Sequence, residues 1–97
     1  MKPVEEKILG RWLEAHPHWC VVGGEMTATY KFKNFTQAFD FIKLVAAVAE
    51  EQNHHPQIVN MYNVVTLSLT THDAGNAITQ RDLDFAEALE VRDDGDE

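Results

Sequence analysis

Between Val4 and Ala15 the apolar residues Val4, Ile8, Leu9, Trp12 and Leu13 recur at helical spacing, which predicts a short helix with one apolar face, ended by Pro17. Trp19 to Val22 is an apolar, β-prone run closed by Gly23-Gly24, a pair suited to the positive φ angles of a tight hairpin. Beyond it Met26, Ala28, Tyr30 and Phe32 alternate with Thr27, Thr29, Lys31 and Lys33, the period of two that marks a strand with one wet face. Asn34 or Thr36 can cap the next segment, a helix in which Phe35, Phe39, Ile42, Ala46 and Ala49 form one stripe and Phe41, Leu44, Val45 and Val48 widen it. A band that wide is expected either to be fully buried within one chain or to meet another helix, including one from a second subunit. Pro56 then disfavours the helical conformation at His55, placing His54 and His55 at the C-terminal end of that helix.

Ile58 to Tyr62 and Val64 to Thr71 read as two more strands joined by a turn at Asn63, with Val65, Leu67, Leu69 and Thr71 on one face and His72 on the other. Asp73-Ala74-Gly75-Asn76 is a turn cluster. A last helix is expected from Thr79, with Asp82 completing a capping box and Ile78 and Leu83 placed for a hydrophobic staple. The order α-β-β-α-β-β-α implies a single α+β domain: a four-stranded antiparallel sheet with helices packed on one face.

At 97 residues the chain can bury one modest core, about 60 to 65% of its unfolded surface. An apolar content of 44% makes that core feasible and self-association, as a homodimer or homotetramer, an expected supplement to it. The formal charge of -8 opposes phosphate backbones and anionic membranes, so neither direct nucleic-acid binding nor membrane attachment is expected. Part of that charge sits in Asp93, Asp94, Asp96 and Glu97; residues 1–92 are read as the domain and 93–97 as a solvated acidic tail. Cys20 is the single cysteine, which excludes an intramolecular disulfide and a thiolate metal cluster. With no apolar run of about 18 residues and no apolar stretch behind the start Met-Lys-Pro-Val-Glu-Glu, a cytoplasmic setting is expected.

Three histidines are the candidate chemistry: the adjacent pair His54-His55, and His72 at a strand end. Imidazole alone has an unperturbed pKa that lets it give and take protons near neutrality. The two strands that follow the long helix can return His72 to the pair, and Glu50, four residues before His54, is placed to orient that ring. Singly, each residue has a plainer reading: a histidine at a helix C-terminus suits the helix dipole, His72 can be an ordinary strand-end residue, and His16 and His18 beside Pro17 belong to a surface loop. No metal site is expected, because adjacent histidines fit neither the one-turn helical spacing nor the alternate-residue strand spacing of ligand pairs. No Ser or Cys lies in a glycine-flanked elbow, and no phosphate-cradling glycine loop is present.

Glu50, three residues, His54-His55-Pro56, five residues, Tyr62, nine residues, His72, nine residues and Asp82 form a pattern that resembles the pterin-4a-carbinolamine dehydratases. The segment Tyr30-Lys31-Phe32-Lys33-Asn34-Phe35 and Trp19 before the first strand are similar to that family too, so the likeness runs from about Trp19 to Leu89. Asn53 stands where the family often has Asp, and Gln57-Ile58 where an acidic residue and an aromatic are common. The resemblance implies dehydration of the 4a-carbinolamine left by aromatic amino-acid hydroxylation, giving quinonoid dihydropterin without cofactor or metal and linking the chain to such a hydroxylase pathway. It further implies that His54, His55 and His72 surround the pterin, with His55 or His72 as general acid and His54 placing or accepting the second proton. Glu50, Asn53, Trp19, Thr70, Thr71 and Asp82 are the implied substrate-binding neighbours, Trp19 flanking the ring, and Asp82 has its helix-capping role as an alternative. Some relatives of this fold serve other proteins as dimerisation or assembly factors, so a protein-binding module is the competing expectation.

Overall fold

The computed structural model describes residues 2–95. Its elements are α1 (Glu6–Ala15), β1 (Trp19–Val22), β2 (Glu25–Lys31), α2 (Phe35–Gln52), β3 (Gln57–Met61), β4 (Val64–Leu69), a 3-10 turn (His72–Ala74) and α3 (Gln80–Gly95). The strands form one antiparallel sheet in the order β1-β2-β4-β3. Each outer strand is thus the hairpin partner of an inner one, and α2 carries the chain from one hairpin to the other. The α+β order expected from the sequence is the one observed.

Local chemistry accounts for the joints. Gly23 and Gly24 both take positive φ (58° and 81°), the combination a two-residue hairpin requires and side chains resist. Asn34 caps α2, its Oδ1 accepting from the Gln37 N–H at 2.9 Å. At the second hairpin Asn63 donates from Nδ2 to the Phe32 carbonyl at 2.8 Å and receives the Phe32 N–H on its own carbonyl, which ties that turn to the end of β2. Ahead of α3 the Thr79 N–H donates to Asp82 Oδ2 at 2.8 Å while Thr79 Oγ1 accepts from the Arg81 N–H at 3.2 Å, a capping box with Ile78 and Leu83 buried beside it. That helix runs on to Gly95, into the segment expected as tail; Asp96 and Glu97 lie outside the described residues.

Register puts Met26, Ala28 and Tyr30 opposite Leu69, Leu67 and Val65 on the inner face of the sheet. They pack under Phe41, Val45, Val48 and Ala49 of α2 and Leu83, Phe85, Ala86 and Leu89 of α3. The α2 stripe differs from expectation. Phe41, Val45 and Val48 face the sheet, whereas Phe35 and Phe39 remain 48% and 45% exposed and Ala46 is exposed with them. Among the described helices none is long and apolar enough to cross a membrane.

Tyr30 sits in this core, stacked on His18 with ring centroids 4.1 Å apart and tilted against Phe41 at 4.5 Å. Burial first, then the charges of Glu90 and Asp93, push its phenol well above the usual value of 10.0. The folded chain therefore holds a proton that the unfolded chain releases above about pH 10, so this contribution is complete below that pH and declines above it by about 1.4 kcal/mol per pH unit. Urea unfolding at pH 9 and pH 11 is expected to show a loss of stability in the wild type that Tyr30→Phe reduces; equal losses in both proteins would contradict this account.

Candidate active site

The site is built where α2 ends. Asn53 adopts the left-handed conformation (φ 49°, ψ 46°). Its N–H returns to the Glu50 carbonyl, and the His54 N–H donates to the Ala49 carbonyl at 3.0 Å, the paired bonds of a Schellman stop. This reversal sends the two neighbouring histidines in different directions. His54 turns inward and is 8% exposed, its ring edge-on to Phe85. His55 stays outside, and Pro56 leads into β3.

Each ring meets its own carboxylate. His54 Nε2 lies 2.6 Å from Asp82 Oδ1, with Asp82 entirely buried. The other Asp82 oxygen accepts from Thr71 Oγ1 at 3.0 Å and from the Thr79 N–H, and Thr71 Oγ1 lies 2.7 Å from Thr79 Oγ1. A carboxylate only accepts, so the threonine chain must run from Thr79 to Thr71 to Asp82, and His54 must present Nε2–H. Such a network is satisfied at every member and fixes the ring from within. His55 Nε2 lies 2.6 Å from Glu50 Oε2, a pair whose side chains are 57% and 78% exposed. Glu50 therefore orients His55 and not, as helical spacing suggested, His54.

His72 opens the 3-10 turn after β4 and is exposed. Among the described residues its side chain forms no hydrogen bond or ion pair. All three imidazoles line one cavity of about 210 Å³ together with Asn53, Thr70, Thr71, Asp73 and Arg81. A hollow of about 270 Å³ on the outer face of the sheet continues from it, sharing His55, Thr70 and His72 and adding Glu25, Gln57 and Ser68. Thus the expected residues Asn53, His54, His55, Thr70, Thr71 and His72 converge, with Glu50 and Asp82 behind two of the rings. Thr71 brings its hydroxyl already engaged. Trp19 stands apart: its register opposite Ala28 turns it into the core, 3% exposed, and it lines neither hollow.

Sequence reasoning missed Arg81, Asp73, Glu25 and Ser68, which look like ordinary solvated positions, and Gln57 stood out only as a departure from the family pattern. For Ser68 the only signal was its place on the wet face of β4 beside Thr70. His16 and His18 line a separate hollow of about 220 Å³ with Tyr30, Glu90 and Asp93. Among the described residues no group of three His, Cys, Asp or Glu side chains is placed to hold a metal ion.

A small α+β protein with three imidazoles around a concave site, two of them braced by carboxylates, defines an acid/base enzyme. Residues 2–91 match the pterin 4 alpha carbinolamine dehydratase family, and the chain belongs to that family of hydro-lyases. A relative from Cyanothece sp. is 48% identical over 73 residues, covering 75% of this chain and 74% of its own; one from Thermomicrobium roseum is 43% identical over 89 residues, covering 92% and 95%. Both carry a provisional pterin-4-alpha-carbinolamine dehydratase name. The crystal structure of a transcriptional coactivator/pterin dehydratase from Brucella melitensis is similar at a TM-score of 0.83 and 33% identity, covering 92% of this chain and 96% of that one.

Proposed function

We propose that the enzyme dehydrates 4a-hydroxytetrahydropterin to quinonoid dihydropterin and water, within the recycling of tetrahydropterin used by an aromatic amino-acid hydroxylase. The convergence of His54, His55 and His72 on one cavity carries this reading. Hydroxide is a poor leaving group, so an imidazolium delivers a proton to the C4a oxygen as the C4a–O bond breaks and water departs. A second imidazole takes the proton released from a ring nitrogen, which leaves the electron pair to form the new double bond. Each positioned transfer contributes about 10² to 10⁴-fold. His55 or His72, the two exposed rings, serves as the acid. His54, braced by Asp82, places or accepts the second proton. Both steps are proton transfers and call for no cofactor.

Freshly generated 4a-hydroxytetrahydropterin, followed by stopped-flow ultraviolet absorbance, is expected to decay faster with the enzyme than in buffer, in proportion to enzyme concentration. Decay at the buffer rate would overturn the proposal. It would favour a protein-binding module instead, for which the half-exposed Phe35 and Phe39 of α2, with ring centroids 5.9 Å apart, offer one apolar surface.

A further inference from the structure

We infer that Arg81 is a positioning residue for the two histidines, an inference that rests on the dehydratase reading above. The peptide unit joining Asn53 to His54 is held at both of its polar atoms. Its N–H, on His54, donates to the Ala49 carbonyl of α2 at 3.0 Å. Its carbonyl, on Asn53, accepts from Arg81 Nη2 of α3 at 2.5 Å. The next residue of α3, Asp82, grips the His54 ring. Consecutive residues of one helix thus hold consecutive residues of the other segment, Arg81 by backbone and Asp82 by side chain.

Two features make the arginine bond matter. A carbonyl at the C-terminal end of a helix has no partner within the helix, and a cation beside it also suits the negative end of the helix dipole. In addition, Asn53 takes the left-handed conformation that asparagine tolerates better than other side-chain-bearing residues, and the arginine bond holds the carbonyl of that turn in one direction. The direction of the Asn53 carbonyl is set by ψ of Asn53, the torsion that also sets how the chain carrying His54 and His55 leaves α2, so fixing that carbonyl fixes the departure of both rings. Arg81 lines the same cavity as the three imidazoles, so the turn is fixed from the wall of the site itself.

The test compares wild type with Arg81→Met, which keeps the aliphatic stem and loses every donor, and with Arg81→Lys, which keeps a charged donor. The methionine variant is expected to lower kcat by about 10- to 100-fold, the scale of a displacement of up to about 1 Å at a reacting group. KM should stay within about threefold, since the loss falls on the chemical step and not on binding. Lysine should recover kcat to within about threefold of wild type, because one carbonyl needs a single donor. The ring carbon signals of His54 and His55 in NMR spectra should both shift in the methionine variant and return in the lysine variant. Should Arg81→Met fail to fold, Arg81→Gln carries the same comparison, its shorter side chain falling short of the Asn53 carbonyl. Unchanged kcat, a rise in KM alone, or unmoved histidine signals would each overturn the inference. If the wild type itself shows no turnover, the dehydratase reading fails while the NMR comparison still decides the role of Arg81.

Discussion

The double variant His55→Ala, His72→Ala is expected to dehydrate 4a-hydroxytetrahydropterin at least about 10² to 10⁴-fold more slowly than wild type, the range spanned by loss of one positioned proton transfer. Its stability should barely change. Both rings are exposed, and substitutions at such places usually stay within about 0.5 kcal/mol. Removing both guards against either exposed histidine covering for the other as acid. Because residues that act as a unit are strongly non-additive, the double loss is expected to fall well short of the product of the single losses. Stopped-flow rates read against urea unfolding curves check both halves. A double variant that keeps the wild-type rate would remove the outer histidines from the mechanism; one that loses rate only because it unfolds would leave their role without support.

Asp82→Ala is expected to produce the largest loss of stability, about 3 to 5 kcal/mol, the cost of breaking a buried pair by removing one partner. Asp82 is fully buried and receives the His54 ring, the Thr71 hydroxyl and the Thr79 N–H. Alanine would strand all three away from water and remove the carboxylate from the first turn of α3, where it also suits the helix dipole. Against a total stability of about 5 to 15 kcal/mol for a domain of this kind, that is a large share. Asp82→Asn should cost less, about 1 to 3 kcal/mol, because the amide retains one acceptor but must turn its NH₂ toward an existing donor. Activity should fall in both variants as His54 loses its bearing. Urea unfolding ranks the three proteins, and an alanine variant within about 1 kcal/mol of wild type would show that the network contributes little.

Features decided within a few residues were legible in the sequence. The Gly23-Gly24 hairpin, the Asn34 cap and the Thr79–Asp82 box each depend on local backbone chemistry, and each stands where expected. That His72 could return to His54-His55 was legible from spacing, and that the three share one site was implied by the family resemblance. What depended on tertiary approach was not. Glu50 and His54 share a face only if the helix continues; it stops at Gln52, Asn53 turns left-handed, and the carboxylate passes to His55. The partner of His54 lies 28 residues away, beyond any periodicity. On α2 a period of 3.6 admits two overlapping apolar faces, and contact with the sheet selects Phe41, Val45 and Val48 over Phe35 and Phe39. Trp19 turns inward because strand register places it opposite Ala28, information held in the partner strand. Arg81 gave no signal at all, since its use depends on a carbonyl from another helix.

The two imidazole–carboxylate pairs also differ in what dissolved salt can do to them. Glu50 and His55 meet in water, where a contact pair is worth little and dissolved salt weakens it further. His54 and Asp82 meet largely out of water, the ring 8% exposed and the carboxylate buried, where salt screens far less. Raising the ionic strength therefore loosens the outer pair more than the inner one, so the inner ring keeps its bearing across media that change how firmly the outer histidine is aimed.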